Sequence, residues 1–584
     1  MGFTKGFKSR LHSTARGGQD DSNTDPTLQS EVIHPADHDV DQDTEKQSVG
    51  STEQGVATIE AAQAIWGKKG RWLVIIGLAL VMIIYELDNS TINIYNNYST
   101  SSFDALTKLA SLSTASTIVF AIVKPPIAKL SNVIGRGQTY AITISFYILA
   151  YVLMASATTF NTYAAGAIFY AVGQSGTNIL NDIVISDITT ARWRGFAIGI
   201  SFTPFLVTPW VAGFIVESVV APTGIGWRWG IAMFAILMPF CASFIITTLV
   251  YYQSRAKKQC LAPRTKLGLR EFFSQIDLGG IIMFSGGLAL ILVPLTLAAT
   301  TPSRWQTPYL IALIVLGMVL LVALPFYEKL FARHPIIPPH YFLNRTILVC
   351  LILIAVDTIG FACTHTYLYT WVTVAKDFGA RDATFFTYTN GVMQCFVNIL
   401  AGLLMGKLRR YKWIAVAGSI IRLIGYGVML RLRGADNSTA EIFIVQIIQG
   451  IGSGMIQNCL IVPAQISVPH AEMPQVTALV LCFMFVCSSI GACIAGGIYT
   501  NTISSAIWTY LPGLSIDDTS ALANSFTGAV PAWGTMERTA ISMAFSDIMR
   551  YMTYTALGSS VIGFIVALIL PDLVLPDVNN LVEV

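Results

Sequence analysis

Long apolar segments alternate with short polar ones from residue 72 to near the C-terminus. About 20 mainly apolar residues can cross the roughly 30 Å hydrocarbon core of a bilayer as an α-helix. We therefore expect an all-α, polytopic membrane protein whose even number of spans places both termini on one side. The predicted spans 1 to 14 are 72–96, 109–128, 138–157, 162–186, 196–219, 229–252, 277–299, 308–330, 347–371, 385–406, 412–432, 441–465, 475–499 and 550–571.

Lys and Arg are concentrated in alternate loops, whereas the opposite loops contain few of them. Basic loops are retained in the cytoplasm, so both termini are expected there, in a plasma membrane or an endosomal or vesicular membrane. The basic residues after spans 2, 4, 6, 8 and 10 are Lys129, Arg136, Arg192, Arg194, Arg255, Lys257, Lys258, Arg264, Lys266, Arg270, Lys329, Arg333, Lys407, Arg409, Arg410 and Lys412.

The segments outside the spans differ in composition. Residues 1–65 are rich in Asp, Ser, Thr, Gln and Gly, which predicts a disordered cytoplasmic tail. The remaining predicted regions are a six-helix half at 66–255, a loop with two linker helices at 256–340, a second six-helix half at 341–571 with a long exterior loop at 501–549, and a short cytoplasmic tail at 572–584.

Composition excludes several classes of function. Apolar residues make up 54% of the chain and charged residues 12%, about half of the roughly 25% usual in soluble proteins. The formal net charge of +3 predicts no nucleic-acid partner. The nine cysteines lie in or beside apolar segments, so we predict neither a disulfide framework nor a metal site. No P-loop occurs, which argues against a primary pump, and no enzyme activity or cofactor is expected.

Polar side chains recur at helical spacing inside several spans. Such groups are unfavourable against lipid and usually mark a pathway inside the bundle. Alternatively, the amides only join helices by hydrogen bonds, and the sequence leaves both interpretations open. The predicted cavity residues are Asn93, Gln174, Asn178, His365, Tyr367, Trp371, Asn390, Gln394, Asn398, Arg422, Gln449 and Gln457.

Four intramembrane acids are candidates for proton coupling. Glu86 and Asp88 are two residues apart in span 1, so they cannot share a helix face. One is expected to line a cavity and the other to contact a neighbouring helix. Asp182 in span 4 is either a coupling or a structural residue. Asp357, like Arg422 of span 11, needs either a partner or water at its depth in the membrane, and pairing of the two with each other is one way to meet that need.

Spans 7 and 8 contain few polar groups, which divides the other spans into two sets of six. Span 9 then corresponds to span 1 and span 12 to span 4. Acids occur in both spans 1 and 9, and Ser175-Gly176 of span 4 corresponds to Ser453-Gly454 of span 12. Paired halves around a midplane site are the expected build of an alternating-access carrier.

The segment KLSNVIGRG at 129–137 resembles the signature loop of the major facilitator superfamily, particularly its fourteen-helix members. The resemblance implies that an acid, a glycine and an arginine lock neighbouring helices at the cytoplasmic face. Asn132 stands where the acid is expected. The latch implied by the resemblance comprises Gly135, Arg136, Asp187 and Arg194.

Several stretches narrow the resemblance to the fungal siderophore iron transporter family over about residues 66–572. They are LDNSTINIYNNYSTSSF at 87–103, ISDITTARWRG at 185–195, TYLYTW at 366–371, VPHAEMPQVTAL at 468–479, AGGIYTN at 495–501, YLP at 510–512 and ERTAI at 537–541. The resemblance implies proton-driven uptake of ferric hydroxamate siderophores. The exterior loop would gate the entrance through Tyr510, Trp533 and Arg538.

The partners implied are the ferric siderophore, protons and the lipid bilayer, with the chain acting as a monomer. Iron would travel inside its chelator, so no protein ligands to iron are expected. Three other functions fit the same pattern: a fourteen-helix drug:proton antiporter, a glutathione:proton exchanger, and a nutrient sensor with little transport. A passive lid is the alternative for the exterior loop.

Overall fold

The computed structural model describes residues 54–103, 109–220, 223–259, 269–300, 308–332, 335, 337–512, 519 and 531–577. All fourteen predicted spans fall on helices, and no strand occurs in these residues. Most of the predicted disordered tail lies outside them. Residues 54–66 are helical rather than disordered, because the stretch is rich in alanine and its Trp66 packs against Tyr252 of span 6.

The first six spans include several interrupted helices. Span 2 breaks at Val123, where Pro125 lies in the first turn of the next segment, a position that tolerates the missing N–H of proline. The helices of spans 1 to 6 are Gln54–Ser102; Leu109–Ile122 with Lys124–Ile134; Arg136–Ser156; Phe160–Ile188; Ala191–Ser201 with Thr208–Val220; and Trp227–Ala232 with Phe234–Lys258.

The remaining spans begin after a short helix, Leu269–Ile276. The break in span 9 follows His365. The helices of spans 7 to 14 are Leu278–Thr300; Pro308–Leu330; Arg345–His365 with Leu368–Lys376; Ala380–Leu408; Lys412–Leu432; Thr439–Ile466; Met473–Tyr510; and Met536–Ile569.

Twelve helices in the described residues are long and apolar enough to cross a membrane. The other two predicted spans are 4 and 7. Polar residues such as Asn181 and Asp182 lower the mean hydropathy of span 4, and both are buried inside the bundle. The apolar part of span 7 is short, Leu278–Pro294. The pattern of fourteen predicted spans therefore agrees with the arrangement of the helices.

Helix packing repeats between the two sets of six spans. Span 1 packs on spans 5 and 6, span 3 on spans 4 and 6, and span 2 on span 4. In the second half, span 9 likewise packs on spans 13 and 14, span 11 on spans 12 and 14, and span 10 on span 12. The most extensive contacts between the halves are two related ones, span 5 with span 10 and span 2 with span 13. This arrangement places a central space between the halves.

Spans 5 and 10 approach each other closely at one end of the bundle. A Cβ atom added to Gly402 would lie 2.4 Å from the backbone oxygen of Gly195, so a larger residue would separate the two helices. Small residues allow such close backbone contact between membrane helices. We call this end, which also contains Gly135 and Asp187, the latch end. The opposite end contains Ser102, Lys376 and Tyr510.

The connection between spans 13 and 14 is shorter than the predicted loop at 501–549. Span 13 remains helical to Tyr510, and the helix of span 14 begins at Met536. Polar residues continue the first helix, since Asn501 Nδ2 donates to Gly497 O and Thr509 Oγ1 to Ser505 O. The apolar segments alone therefore underestimate the lengths of both helices.

Candidate functional site

A cavity of about 460 Å³ lies between the two halves. Spans 1 to 5 line it from one half, and spans 10, 12 and 13 from the other. Its wall reaches Asn96 and Met154 near the end of the bundle opposite the latch. We call this space the main cavity. The predicted site residues that line it are Glu86, Asn93, Gln174, Asn178, Gln394, Asn398 and Gln457.

Amides of the main cavity are joined in part to each other. Gln174 Nε2 donates to Asn89 Oδ1 at 2.9 Å, and Gln394 Nε2 donates to Gln457 Oε1 at 2.6 Å. These bonds link span 1 with span 4 and span 10 with span 12. These amides therefore join helices and also present polar atoms to the cavity, and their role in a transport pathway stays a prediction.

Aromatic side chains complete the wall, and sequence reasoning missed them. Phe120 of span 2 and Phe485 of span 13 lie edge to face, with ring centroids 4.6 Å apart. Phe202 and Phe205 of span 5 also line the cavity. An apolar residue in an apolar span does not differ from its neighbours in hydropathy, so only three-dimensional packing identifies these rings.

The two acids of span 1 face different surroundings, as their spacing predicts. Glu86 lines the main cavity and makes no ion pair within 4.0 Å among the described residues. Asp88 is fully buried and accepts a hydrogen bond from Tyr170 Oη of span 4 at 2.8 Å. The acid that faces the cavity is therefore Glu86.

Asp182 lies beside a buried cation that the sequence analysis did not select. Lys124, at the break in span 2, is fully buried; its Nζ donates to Asn178 Oδ1 and lies 4.2 Å from the Phe120 ring centroid. Asp182 is also buried and interacts electrostatically with Lys124. This arrangement favours the structural interpretation of Asp182.

Asp357 and Arg422 form an ion pair, which is one of the two possibilities that the sequence leaves open. Arg422 Nε lies 2.7 Å from Asp357 Oδ1, and the arginine is buried. Arg422 Nη1 also donates to Gln449 Oε1 at 3.0 Å. The pair lies inside the second half rather than on the wall of the main cavity.

Six predicted cavity residues do not line the main cavity: His365, Tyr367, Trp371, Asn390, Arg422 and Gln449. Their polar or aromatic groups contact neighbouring helices of the second half instead. His365 Nε2 lies 3.2 Å from Gln446 Oε1, and Trp371 Nε1 donates to Ser546 Oγ at 3.1 Å. Tyr367 stacks on Tyr499 with ring centroids 4.4 Å apart. Helical periodicity identifies which face of a helix points into the bundle. It does not show whether that face lines a cavity or packs against another helix.

The predicted latch residues are assembled and buried. Arg136 Nε lies 3.1 Å from Asp187 Oδ2, and its Nη1 donates to Asn132 Oδ1 at 2.8 Å. Gly135, with φ +102°, allows the turn between spans 2 and 3. Asn132 therefore replaces the expected acid with an amide acceptor, and Asp187 supplies the negative charge. Arg194 is fully buried and interacts electrostatically with Asp187.

Hydrogen bonds between the halves close the latch end. They are Arg192 Nε to Gly406 O at 2.9 Å, Asn458 Nδ2 to Gly195 O at 2.9 Å, and Gln465 Nε2 to Ser186 Oγ at 3.0 Å. Arg192 also pairs with Asp577 of the C-terminal segment at 2.7 Å. The main cavity is therefore separated from this end by a layer of direct contacts.

His470, in the connection between spans 12 and 13, adds a titratable group to the latch. Its Nε2 lies 3.7 Å from Asp187 Oδ1. Burial lowers the pKa of His470 from its ordinary value of 6.5; the Asp187 carboxylate opposes this shift, and Arg136 and Arg194 add to it. The closed latch therefore favours the neutral form of His470 more strongly than an exposed position would.

The closed latch should weaken as the pH falls below about 6.5. Because the pKa of His470 is lower in the closed latch than when exposed, protons favour the open latch. The distance between spin labels on exposed positions of the two halves, Arg255 and Lys407, would report opening between pH 7.5 and 5.5. His470→Gln should leave the closed population unchanged at pH 7.5 and reduce its acid dependence. Equal pH dependence in the variant would contradict this role.

The described part of the exterior connection and the helix ends beside it pack on the second half. Tyr510 Oη donates to Asp547 Oδ2 at 2.6 Å. The Arg538 guanidinium lies 5.6 Å from the Trp533 ring centroid, and its Nη2 donates to Thr373 O at 3.2 Å. These contacts position the three predicted gate residues but do not distinguish a gate from a passive lid.

The chain matches the Major Facilitator Superfamily over residues 78–375. It is 30% identical to the siderophore iron transporter mirC of Emericella nidulans over 521 residues, covering 87% of this chain and 86% of the relative. It is 28% identical to the low affinity heme transporter str3 of Schizosaccharomyces pombe, covering 91% and 87%.

A solved structure shows the same fold. The chain matches the proton:xylose symporter XylE with a TM-score of 0.50 and 12% identity, covering 86% of this chain and 96% of that one. At that identity the likeness concerns the fold alone. With the sequence matches, it confirms the resemblance seen in the signature loop. This multi-pass membrane protein belongs to the Major Facilitator Superfamily and, within it, to the family of fungal siderophore iron transporters.

Proposed function

We propose that this protein takes up ferric siderophores of the hydroxamate class in symport with protons, by alternating access across a fungal plasma or endosomal membrane. Its termini would lie in the cytoplasm, and the latch would close the cytoplasmic end. The observation that carries the proposal is the main cavity, whose wall combines amides, hydroxyls and aromatic rings with one carboxylate, that of Glu86. The names of relatives such as mirC support the choice of substrate.

The chemistry of the cavity suits a bulky chelate of low charge. A ferric trihydroxamate has a neutral metal centre with oxygens at its surface and apolar parts between them. Side-chain amides such as Asn93 and Gln174 can both donate and accept hydrogen bonds, while rings such as Phe120 contact apolar parts. The chelator already fills the coordination sphere of iron. No His, Cys, Asp and Glu group suited to a metal occurs among the described residues.

Glu86 is the group we assign to proton coupling. A coupling acid must meet the cavity, so that it can gain a proton when one end is open and lose it when the other opens. Glu86 meets this condition, whereas Asp357 is tied to Arg422 at 2.7 Å and Asp88 is enclosed beside Tyr170. Asp182 lies next to Lys124. Of the four predicted acids, Glu86 is therefore the one favoured for coupling.

The closed latch indicates from which side substrate and protons would enter the main cavity. The main cavity extends toward Asn96 and Met154, at the end opposite the latch. Bonds such as that between Arg192 and Gly406 close the other end. With the latch in the cytoplasm, the conformation described would receive substrate and protons from outside. Opening the latch end would then release both.

Uptake of radiolabelled iron tests the function. Iron-starved cells lacking their own carriers would receive ferric hydroxamates, a ferric catecholate, haem, labelled glutathione and a cationic drug, with and without a protonophore. We expect protonophore-sensitive accumulation of a ferric hydroxamate. Haem uptake alone would instead support the activity named for str3. Drug resistance or glutathione exchange without iron uptake, or signalling without accumulation, would overturn the proposal.

A further inference from the structure

A second, smaller cavity lies inside the second half of the bundle. Its volume is about 200 Å³, and residues of spans 9, 10, 12 and 13 line it. Three residues, Gln394, Gln457 and Phe485, belong to the walls of both cavities. We call this space the side chamber. It lies next to the main cavity, with these three side chains as the partition between them.

The partition is built from groups that can move or exchange partners. Gln394 Nε2 donates to Gln457 Oε1 at 2.6 Å, and both side chains are partly exposed to the cavity space. The Phe485 ring packs edge to face against Phe120 and is also only partly buried. A hydroxyl on the chelate beside an entering arm could accept from one amide and donate to the other, which would replace the amide–amide bond without leaving a buried polar group unsatisfied.

The lining of the chamber disfavours a charged group on the ligand. Phe361, Leu460 and Met484 supply apolar surface, while Thr358, Ser453 and Ser488 supply hydroxyls. The carboxylate in its wall, Asp357, is already paired with Arg422 at 2.7 Å. An additional charged group would find no free partner of opposite sign there, and burying it would be unfavourable. A neutral, mainly apolar group carrying at most a hydroxyl fits this lining.

We propose that the side chamber is a subsite for one acyl arm of the chelate, with the iron centre held in the main cavity. The inference rests on the proposed function and adds a rule for substrate choice. Arms that are neutral and apolar enter past Gln394, Gln457 and Phe485, whereas charged arms are rejected. A group the size of a water molecule occupies about 30 Å³. The chamber of about 200 Å³ therefore holds an arm of about six such groups.

The wild-type protein provides a first measurement. Synthetic ferric trihydroxamates would share one iron centre and differ only in the length of a neutral acyl arm. The KM for uptake should fall by up to about fourfold per added methylene group until the arm has about six carbon atoms, and should rise for longer arms. A KM that does not depend on arm length would overturn the inference.

A substitution in the chamber provides the second measurement. Ser488 is partly exposed to the chamber, and Ser488→Leu would occupy part of it. The ratio of long-arm to short-arm uptake should fall at least tenfold. Ser243→Leu is the matched control, because Ser243 is exposed on the outer face of span 6, outside both cavities. This control should leave the ratio within twofold of wild type.

A third variant tests the opposite change. Met484→Ala would enlarge the chamber, and the arm length with the lowest KM should increase. Both variants are compared at equal amounts of protein at the cell surface. Unchanged ratios in variants that reach the surface would overturn the subsite while leaving the proposed function intact. If the wild type accumulates no ferric chelate at all, the proposed function fails and the subsite with it.

Discussion

Glu86→Gln should reduce protonophore-sensitive accumulation of the ferric chelate at least tenfold while preserving chelate binding and exchange. The substitution keeps the size and hydrogen-bonding ability of the side chain but removes its ability to gain and lose a proton. Glu86 lines the main cavity without an ion-pair partner within 4.0 Å among the described residues. Its charge is therefore free to change during the cycle. Uptake of labelled iron and exchange of preloaded chelate would be measured side by side.

The matched control is Glu537→Gln, which makes the same chemical change at an exposed position in the first turn of the helix of span 14. It should leave both activities within twofold of wild type. Asp88→Asn is a second comparison, because Asp88 accepts a bond from Tyr170 away from the cavity wall. If Glu86→Gln accumulates iron as fast as wild type and stays sensitive to the protonophore, Glu86 is not the coupling acid.

Arg422→Met should destabilise the folded protein by about 3–5 kcal/mol, because it leaves the Asp357 carboxylate without its buried partner. Arg422 is fully buried and lies 2.7 Å from Asp357 Oδ1. It also supplies a hydrogen bond to Gln449 Oε1, which would lose its donor. The free energy of unfolding, or the midpoint of thermal unfolding in detergent, would measure the loss.

The double variant Arg422→Met with Asp357→Leu should recover most of that stability, since replacing both members of a buried ion pair by apolar residues is often neutral or better. The coupling between the two substitutions isolates the contribution of the pair. Arg431→Met is the control, because Arg431 is exposed at the end of span 11. Additive losses in the double variant would show that the pair does not account for the effect.

The sequence predicts the fold well because membrane helices must satisfy their own backbone hydrogen bonds. Each of the fourteen apolar segments therefore corresponds to a helix. Spacing also separates Glu86 from Asp88, since residues two apart point to different sides of a helix. A buried charge needs a partner or water, and the pairing of Asp357 with Arg422 is the one of these two possibilities that the structure contains. These inferences depend only on local geometry or on strong electrostatics.

Other parts of the site depend on distances between helices, which hydropathy does not encode. Lys124 meets Asn178 only because span 2 breaks at Val123 and brings the lysine against span 4. His365 and Trp371 share the polar character of cavity residues, but span 9 turns them toward Gln446 and Ser546. The side chamber likewise exists only because four spans leave space between them.

Accumulation by purified protein in liposomes tests the central claim most directly. Radiolabelled ferric hydroxamate would be added outside vesicles containing either the wild type or Glu86→Gln, with an imposed pH gradient. The proposed mechanism predicts that wild type concentrates the chelate when the outside is more acidic, that a protonophore abolishes this, and that Glu86→Gln only equilibrates it. Accumulation that does not depend on the gradient, or outward transport driven by it, would contradict proton-coupled uptake.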